Sequence, residues 1–141
     1  TYLGSRRAGN FTANKNLVTG NNIEFQERKK LKDSQWTLDG SWDVSTESIT
    51  ARKNAVLTIR VAAKAVYLVG GSTEATKISV ELNGLPISQT NFAGEDILSS
   101  KLNVGESRLY KVARFSKFTK GMSLRFVVPE GITLNAFTFG S

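Results

Sequence analysis

Two tryptophans with an aspartate between them are the residues whose types and spacing best suit ligand binding. Trp36, Asp39 and Trp42 lie in a Trp-x-Leu-x-Gly-x-Trp segment. Aromatic faces can bind the apolar C–H faces of sugar rings, and a carboxylate can accept hydrogen bonds from sugar hydroxyls. Asp39-Gly40 favours a turn that places the two rings on neighbouring strands. The segment therefore predicts a shallow sugar site, with burial of one or both rings in the core, and a turn role for Asp39, as the alternatives.

Arg7 is the fourth candidate ligand-binding residue. It follows Arg6 and lies close to Tyr2 in the sequence. A guanidinium can form a bidentate pair with a carboxylate, a phosphate or an acidic sugar. The same group can clamp the N-terminal segment to the rest of the fold. We expect Arg7 either to border the sugar site or to act as this clamp.

The sequence contains no cysteine and no histidine. This excludes thiolate nucleophiles, disulfides and His-dependent triads, and it removes the commonest transition-metal ligands. The 12 acidic residues are scattered, with no visible pair for glycoside cleavage and no dense calcium-ligand motif. We therefore predict that the chain is not an enzyme and that it binds no metal and no other cofactor.

The net charge is +7, and the basic residues gather in two stretches. One is Arg28 to Lys32, and the other runs from Lys101 to Arg125. Such surfaces attract polyanions, but most charge clusters are simply solvated faces. A nucleic-acid module would add a recognisable recognition element and exposed stacking aromatics. The sequence therefore predicts a solvated basic surface and no nucleic-acid partner.

Alternation of apolar and polar residues with a period of two dominates the chain and indicates strands. We predict strands at 23–26, 36–38, 41–44, 48–51, 57–61, 65–69, 78–82, 108–112, 122–128 and 133–139. Asn83-Gly84 predicts a hairpin, because a type I′ turn needs positive φ at both central residues. Single helical turns are expected at 97–102 and 28–33. Residues 12–22 predict an exposed loop, which either borders a binding face or is a plain connector.

Many short strands, polar turns and no long helical stripe predict an all-β fold. We expect an antiparallel β-sandwich or barrel in which residues 1–141 form one domain. No apolar run approaches the roughly 20 residues that a membrane-spanning helix needs. The chain starts at Thr1 without a cleavable leader pattern, so we expect it to be a piece of a longer protein.

The two ends of the chain carry a family resemblance. They read Thr1-Tyr2-Leu3-Gly4-Ser5-Arg6-Arg7-Ala8-Gly9-Asn10-Phe11 and Leu134-Asn135-Ala136-Phe137-Thr138-Phe139-Gly140, with the tryptophan segment between them. Together they resemble the C-terminal domain of DipZ-like proteins, which are membrane-anchored thioredoxin-family thiol-disulfide oxidoreductases. The resemblance implies a jelly-roll sandwich similar to carbohydrate-binding modules. It also implies an excised C-terminal piece, a thioredoxin domain before Thr1 that holds the redox cysteines, and an extracytoplasmic location in the periplasm or cell envelope.

These observations lead to one functional expectation and one alternative. The expectation is a non-catalytic binding module for a glycan or cell-wall polysaccharide, with Arg7, Trp36, Asp39 and Trp42 at its site. The alternative is a scaffold that docks on the neighbouring thioredoxin-like domain or its substrate and binds no sugar. An exposed aromatic platform favours the first, and full burial of both tryptophans favours the second.

Overall fold

The computed structural model describes residues 1–140, and Ser141, which the domain prediction includes, lies outside the described residues. Ten strands account for most of the chain and no α-helix is present in residues 1–140. The strands are β1 (Gly20–Phe25), β2 (Trp36–Val44), β3 (Ile49–Ala51), β4 (Val56–Gly71), β5 (Thr76–Leu82), β6 (Leu85–Pro86), β7 (Ile97–Leu98), β8 (Lys101–Val104), β9 (Arg108–Val127) and β10 (Thr133–Gly140). A 3-10 helix covers Ile87–Gln89.

All the strand pairings are antiparallel, which confirms the predicted all-β class. The order across the sheet is β1-β2-β3-β10-β4-β9-β5-β8-β7, and β6 pairs with β5. Non-consecutive strands are neighbours in the middle of the sheet, so long-range contacts hold the fold together.

β4 and β9 are longer than the sequence predicts, because each joins two predicted strands into one. The first half of β4 pairs with β2 and with the last part of β9, whereas its second half pairs with β10 and with the first part of β9. Register shifts fall between Val61 and Ala65 of β4, where these two halves meet. The long β4–β9 ribbon therefore links two groups of strands.

β2 is one strand through Asp39-Gly40, so the predicted turn at these residues is wrong. Residues 36–39 pair with β4 and residues 42–44 pair with β3. Gly40, at φ +80°, lies where β2 changes its neighbour, and a Cβ there would overlap the carbonyl oxygen of Asn54. The dipeptide thus forms a local irregularity within the strand. Besides turns, such irregularities are a common position for glycine in a sheet.

The predicted hairpin at Asn83-Gly84 is confirmed. Leu82 pairs with Leu85, and the two turn residues have φ of 50° and 83°. Both predicted helical turns are wrong. Residues 97–102 form the β7–β8 hairpin, whose turn residues Ser99 and Ser100 have positive φ, and residues 28–33 have no helix.

One cluster of buried residues forms the core. Alternate residues of the strands supply it, as the period-two pattern requires. The largest fully buried side chains are Trp36, Trp42, Tyr110, Phe115, Phe126 and Phe137. Both tryptophans and four of the other aromatic side chains are therefore part of the core.

Candidate functional site

The two tryptophans of the predicted sugar site are part of the core. Both are 0% exposed. The Trp36 Nε1–H donates to the Gly9 carbonyl oxygen at 2.9 Å, and the Trp42 Nε1–H donates to the Asp39 carbonyl oxygen at 3.0 Å. A ring without an exposed face cannot stack on a sugar. Both tryptophans therefore occupy the core position that the sequence left open as the alternative to a stacking platform.

Asp39 lies between the two tryptophans in the sequence of β2 and is half-buried. Its Oδ1 accepts a hydrogen bond from the Glu27 N–H at 3.0 Å, and the Thr37 hydroxyl accepts one from the Arg28 N–H at 2.9 Å. These two contacts fasten the segment that follows β1 alongside β2. The Asp39 carboxylate therefore has an intramolecular partner and a role in holding the chain.

Arg7 has the geometry of a clamp. Its guanidinium carbon lies 3.7 Å from the centroid of the Tyr2 ring, and its Nη2 donates to Glu47 Oε2 at 3.2 Å. Arg6 lies 3.6 Å from the same carboxylate. Because Glu47 belongs to the connection between β2 and β3, these contacts tie the N-terminal segment to that connection. Arg7 remains half exposed, at 51% of its side chain.

Backbone hydrogen bonds complete this N-terminal attachment. The Leu3 N–H donates to the Asn135 carbonyl at 3.0 Å, and the Ser5 N–H donates to the Ser45 carbonyl at 2.9 Å. Leu3 is fully buried. We call Tyr2, Arg6, Arg7 and Glu47 the N-terminal patch, since these side chains surround the point where the chain enters the fold.

The four predicted site residues therefore share no open face. The N-terminal segment does run across β2, because Gly9 contacts Trp36 and Arg7 lies two residues before Gly9. Asp39 and Trp42 are joined by one hydrogen bond. Only Arg7 offers a substantially exposed polar group, and it is already engaged by Glu47 and Tyr2.

An open groove beside the N-terminal segment lies over the loop that follows it. Its volume is about 320 Å³, and its polar lining includes Thr12, Lys15, Asn16 and Arg28. Phe11, which is half-buried, lines the groove and packs edge-on against Trp36 with 4.7 Å between ring centroids. We call this space the Phe11 groove. The asparagine- and threonine-rich composition of residues 12–22 was its only sequence signal.

A second groove, of about 490 Å³, is cationic, and we call it the lysine groove. Lys29, Lys30, Leu31, Thr58, Arg60 and Ser123 line it. Asp33 holds one of these lining residues, because its Oδ1 accepts hydrogen bonds from Arg60 Nε at 3.1 Å and from the Gly121 N–H at 3.0 Å. These bonds bring together the two basic stretches of the sequence. Sequence reasoning found both stretches but not their contact, since Asp33 and Gly121 are 88 residues apart.

A comparison with family models identifies the protein family of the chain. Residues 1–140 match the model described as "Thioredoxin like C-terminal domain". The chain belongs to this family. A comparison with curated proteins finds no match. The thioredoxin-like C-terminal domain is an accessory domain of thioredoxin-family proteins, and this one contains no cysteine.

Two carboxylates of this thioredoxin-like C-terminal domain have lowered pKa values. A hydrogen bond from Arg52, 2.7 Å from Asp43 Oδ2, lowers the pKa of Asp43 most, and a bond from the Asn22 N–H adds to it. Burial opposes ionisation of Asp96, but hydrogen bonds from the Lys111 N–H and Arg108 outweigh it and lower its pKa. Both groups are held ionised by structural partners, which differs from the pKa tuning of a general acid or base.

Neither a metal cluster nor a membrane-spanning helix is found within residues 1–140. No group of three or more acidic residues is arranged to hold an ion there. None of the described segments is a helix long and apolar enough to cross a bilayer. The candidate surfaces described above are the N-terminal patch, the Phe11 groove and the lysine groove.

Proposed function

We propose that this chain is a non-catalytic interaction domain that docks on the thioredoxin domain of a longer, DipZ-like protein. Burial of both Trp36 and Trp42 is the observation that supports this role over sugar recognition. It removes the aromatic platform on which a shallow sugar site depends. Membership of the thioredoxin-like C-terminal domain family supports the identity of the partner.

The N-terminal patch is the docking surface that we propose. A thioredoxin domain that precedes Thr1 is held near this patch by chain connectivity, which gives a high effective concentration. Tyr2 is 48% exposed there, beside charged groups whose ion pairs could rearrange on contact. Domain interfaces within one chain commonly combine such aromatic and charged groups.

We further propose a sandwich of the jelly-roll type, similar to carbohydrate-binding modules, as the architecture. The two groups of strands linked by β4 and β9 support this layered arrangement. An extracytoplasmic location and a membrane anchor elsewhere in the longer protein are the expectations that go with the DipZ-like resemblance.

Hydrogen exchange tests the docking proposal. We would compare the isolated chain with a polypeptide in which a thioredoxin domain precedes Thr1. Amides of residues 2–7 and 45–47 should exchange more slowly in the longer polypeptide. Arg7→Ala should reduce this protection, whereas Arg125→Ala, which removes a comparably exposed ion pair with Glu81, should leave it intact. Equal exchange in the two polypeptides would reject docking at this patch.

Glycan binding is the second candidate function, and the Phe11 groove is the observation that favours it. Its hydroxyl, amide and cationic groups suit sugar hydroxyls or a uronic acid, and Phe11 adds one partly exposed aromatic ring. Binding should be weak, because each sugar hydroxyl exchanges water hydrogen bonds for protein ones at small net gain.

A glycan-array screen that includes peptidoglycan fragments and acidic polysaccharides tests this second function. For any glycan that binds, Asn16→Ala should weaken binding. Asn21→Ala, a matched change in a different groove, should have no effect. If no glycan in the screen binds, or if both variants bind equally well, the groove is not a sugar site.

A further inference from the structure

A bulge in β9 places an aromatic side chain on the surface. Ala63 of β4 pairs with Thr119, but Ala65, two residues on, pairs with Arg114. Residues 115–118 therefore lie opposite the single residue Lys64. Bulges of this kind re-aim side chains and are common where a sheet carries a function.

The two phenylalanines of this bulge have opposite environments. Phe115 is buried and packs against Phe92 with 5.4 Å between ring centroids. Phe118 is 55% exposed. Because Phe115 anchors the bulge in the core, the backbone that follows it is held in a position that exposes Lys117 and Phe118.

Lysines lie on both sides of Phe118 in the sequence, and a further group is held close to this segment by a hydrogen bond from a backbone N–H. Lys117 and Lys120 flank Phe118 in sequence, and Gly121 contacts Asp33, which brings Lys32 and the lysine groove alongside. Within residues 1–140, no acidic side chain forms an ion pair with Lys29, Lys30, Lys32, Lys117 or Lys120. Asp33, the acid at the centre of this region, already binds Arg60. We call these five lysines and Phe118 the cationic face.

We propose that the cationic face docks on an anionic lipid bilayer, with Phe118 inserted among the lipids. The negative surface potential of such a bilayer attracts clustered lysines. An aromatic ring among them adds to the free energy of binding when it leaves water for the lipid. A single exposed apolar residue needs no explanation by itself. Here Phe118 lies between Lys117 and Lys120 in the sequence, on a bulge that Phe115 anchors in the core, and this combination suits a charged surface with an apolar interior. A soluble polyanion offers the charge but no apolar phase.

Vesicle co-sedimentation tests the proposal on the 141-residue chain. The probes are vesicles of phosphatidylcholine alone and of phosphatidylcholine mixed with phosphatidylglycerol. We expect binding to the mixed vesicles only, lost on substitution of both Lys117 and Lys120 by glutamate. Phe118→Ser should weaken binding to them by about tenfold, since a buried ring contributes strongly to partition. The matched control is Leu98→Ser, which removes an apolar side chain that is 80% exposed outside the cationic face.

Fluorescence of an introduced tryptophan gives a second readout. Phe118→Trp adds an indole at the proposed insertion point, and its emission should shift to the blue with mixed vesicles. Leu98→Trp should not shift. If Phe118→Ser binds mixed vesicles as tightly as the unsubstituted chain, or if Phe118→Trp shows no shift, insertion is rejected. If the Phe118→Ser variant and the unsubstituted chain then bind heparin equally well, the cationic face is a general polyanion surface.

Discussion

Trp36 and Trp42 are both fully buried, and the indole N–H of each makes one hydrogen bond. The indole nitrogens donate to the carbonyl oxygens of Gly9 and Asp39, so neither ring leaves a polar atom without a partner. Trp36 also packs against Phe11, which belongs to the segment that lies across β2. At this position, therefore, one side chain fixes both the core and the loop that borders the Phe11 groove.

Truncation of Trp36 should be severely destabilising. Trp36→Ala removes a fully buried ring and its hydrogen bond, and we expect a loss of about 3 to 5 kcal/mol in the free energy of unfolding. Phe118→Ala, at an exposed aromatic position, should change it by less than about 0.5 kcal/mol. Urea unfolding of both variants measures the difference. Similar stabilities for the two variants would contradict the core assignment of Trp36.

Asp43 should make stability depend on pH in the acid range. Its pKa is lowered below the ordinary 3.8, first by the Arg52 hydrogen bond. A lowered folded-state pKa means that ionised Asp43 stabilises the fold above about pH 4, and that this stabilisation is lost as pH falls through the folded-state value. Asp43→Asn should therefore show a smaller loss of unfolding free energy between neutral pH and about pH 3 than the unsubstituted chain. Equal losses in urea unfolding would show that the Asp43–Arg52 pair does not contribute.

Two glycines with positive φ have different roles in the sheet, one in a turn and one inside a strand. Gly84 closes a two-residue turn at φ +83° and has open space around it. Gly40 has a similar φ of +80° inside β2, but the backbone of Asn54 lies against it. The same residue type thus ends one strand and permits another to continue past a close backbone contact.

Alanine substitutions at these glycines should separate the two purposes. Gly84→Ala should cost about 1 to 2 kcal/mol, the usual penalty for a side chain at left-handed φ. Gly40→Ala adds a clash with the Asn54 carbonyl, and we expect roughly 2 to 5 kcal/mol in total. Thermal and urea unfolding give the comparison. A Gly40→Ala protein as stable as Gly84→Ala would show that β2 relaxes freely at this point.

Local patterns in the sequence predicted strands well but predicted their ends poorly. The Asn83-Gly84 turn was predictable because its chemistry demands a hairpin, whereas Ser99 and Ser100 adopt positive φ without the residues that usually favour it. β4 and β9 continue through segments that lack clear alternation, because pairing with each other holds them extended. Tertiary contacts also explain the missed site features. The lysine groove depends on Asp33 meeting Gly121, and no local pattern predicts that meeting.

Charge is distributed unevenly over the whole molecule. Several basic side chains are paired with acids at the N-terminal patch and along the sheet, as with Arg7 and Glu47, Arg52 and Asp43, and Arg108 and Asp96. The lysines of the cationic face have no such partners within residues 1–140. The N-terminal patch and the cationic face are therefore distinct in chemistry, so domain docking and bilayer docking can be tested independently.

The isolated chain should have no thiol-disulfide exchange activity. Exchange begins with attack by a thiolate on a disulfide sulfur, and this chain contains no cysteine. Insulin reduction with dithiothreitol as electron donor is the measurement, and the purified chain should not raise the rate above that of dithiothreitol alone. A thioredoxin serves as the positive control. A polypeptide with a thioredoxin domain before Thr1 should be active only while the cysteines of that domain are intact. Turnover by the isolated chain would contradict the proposal that it is a non-catalytic accessory domain, because no side chain in its sequence can form the mixed disulfide.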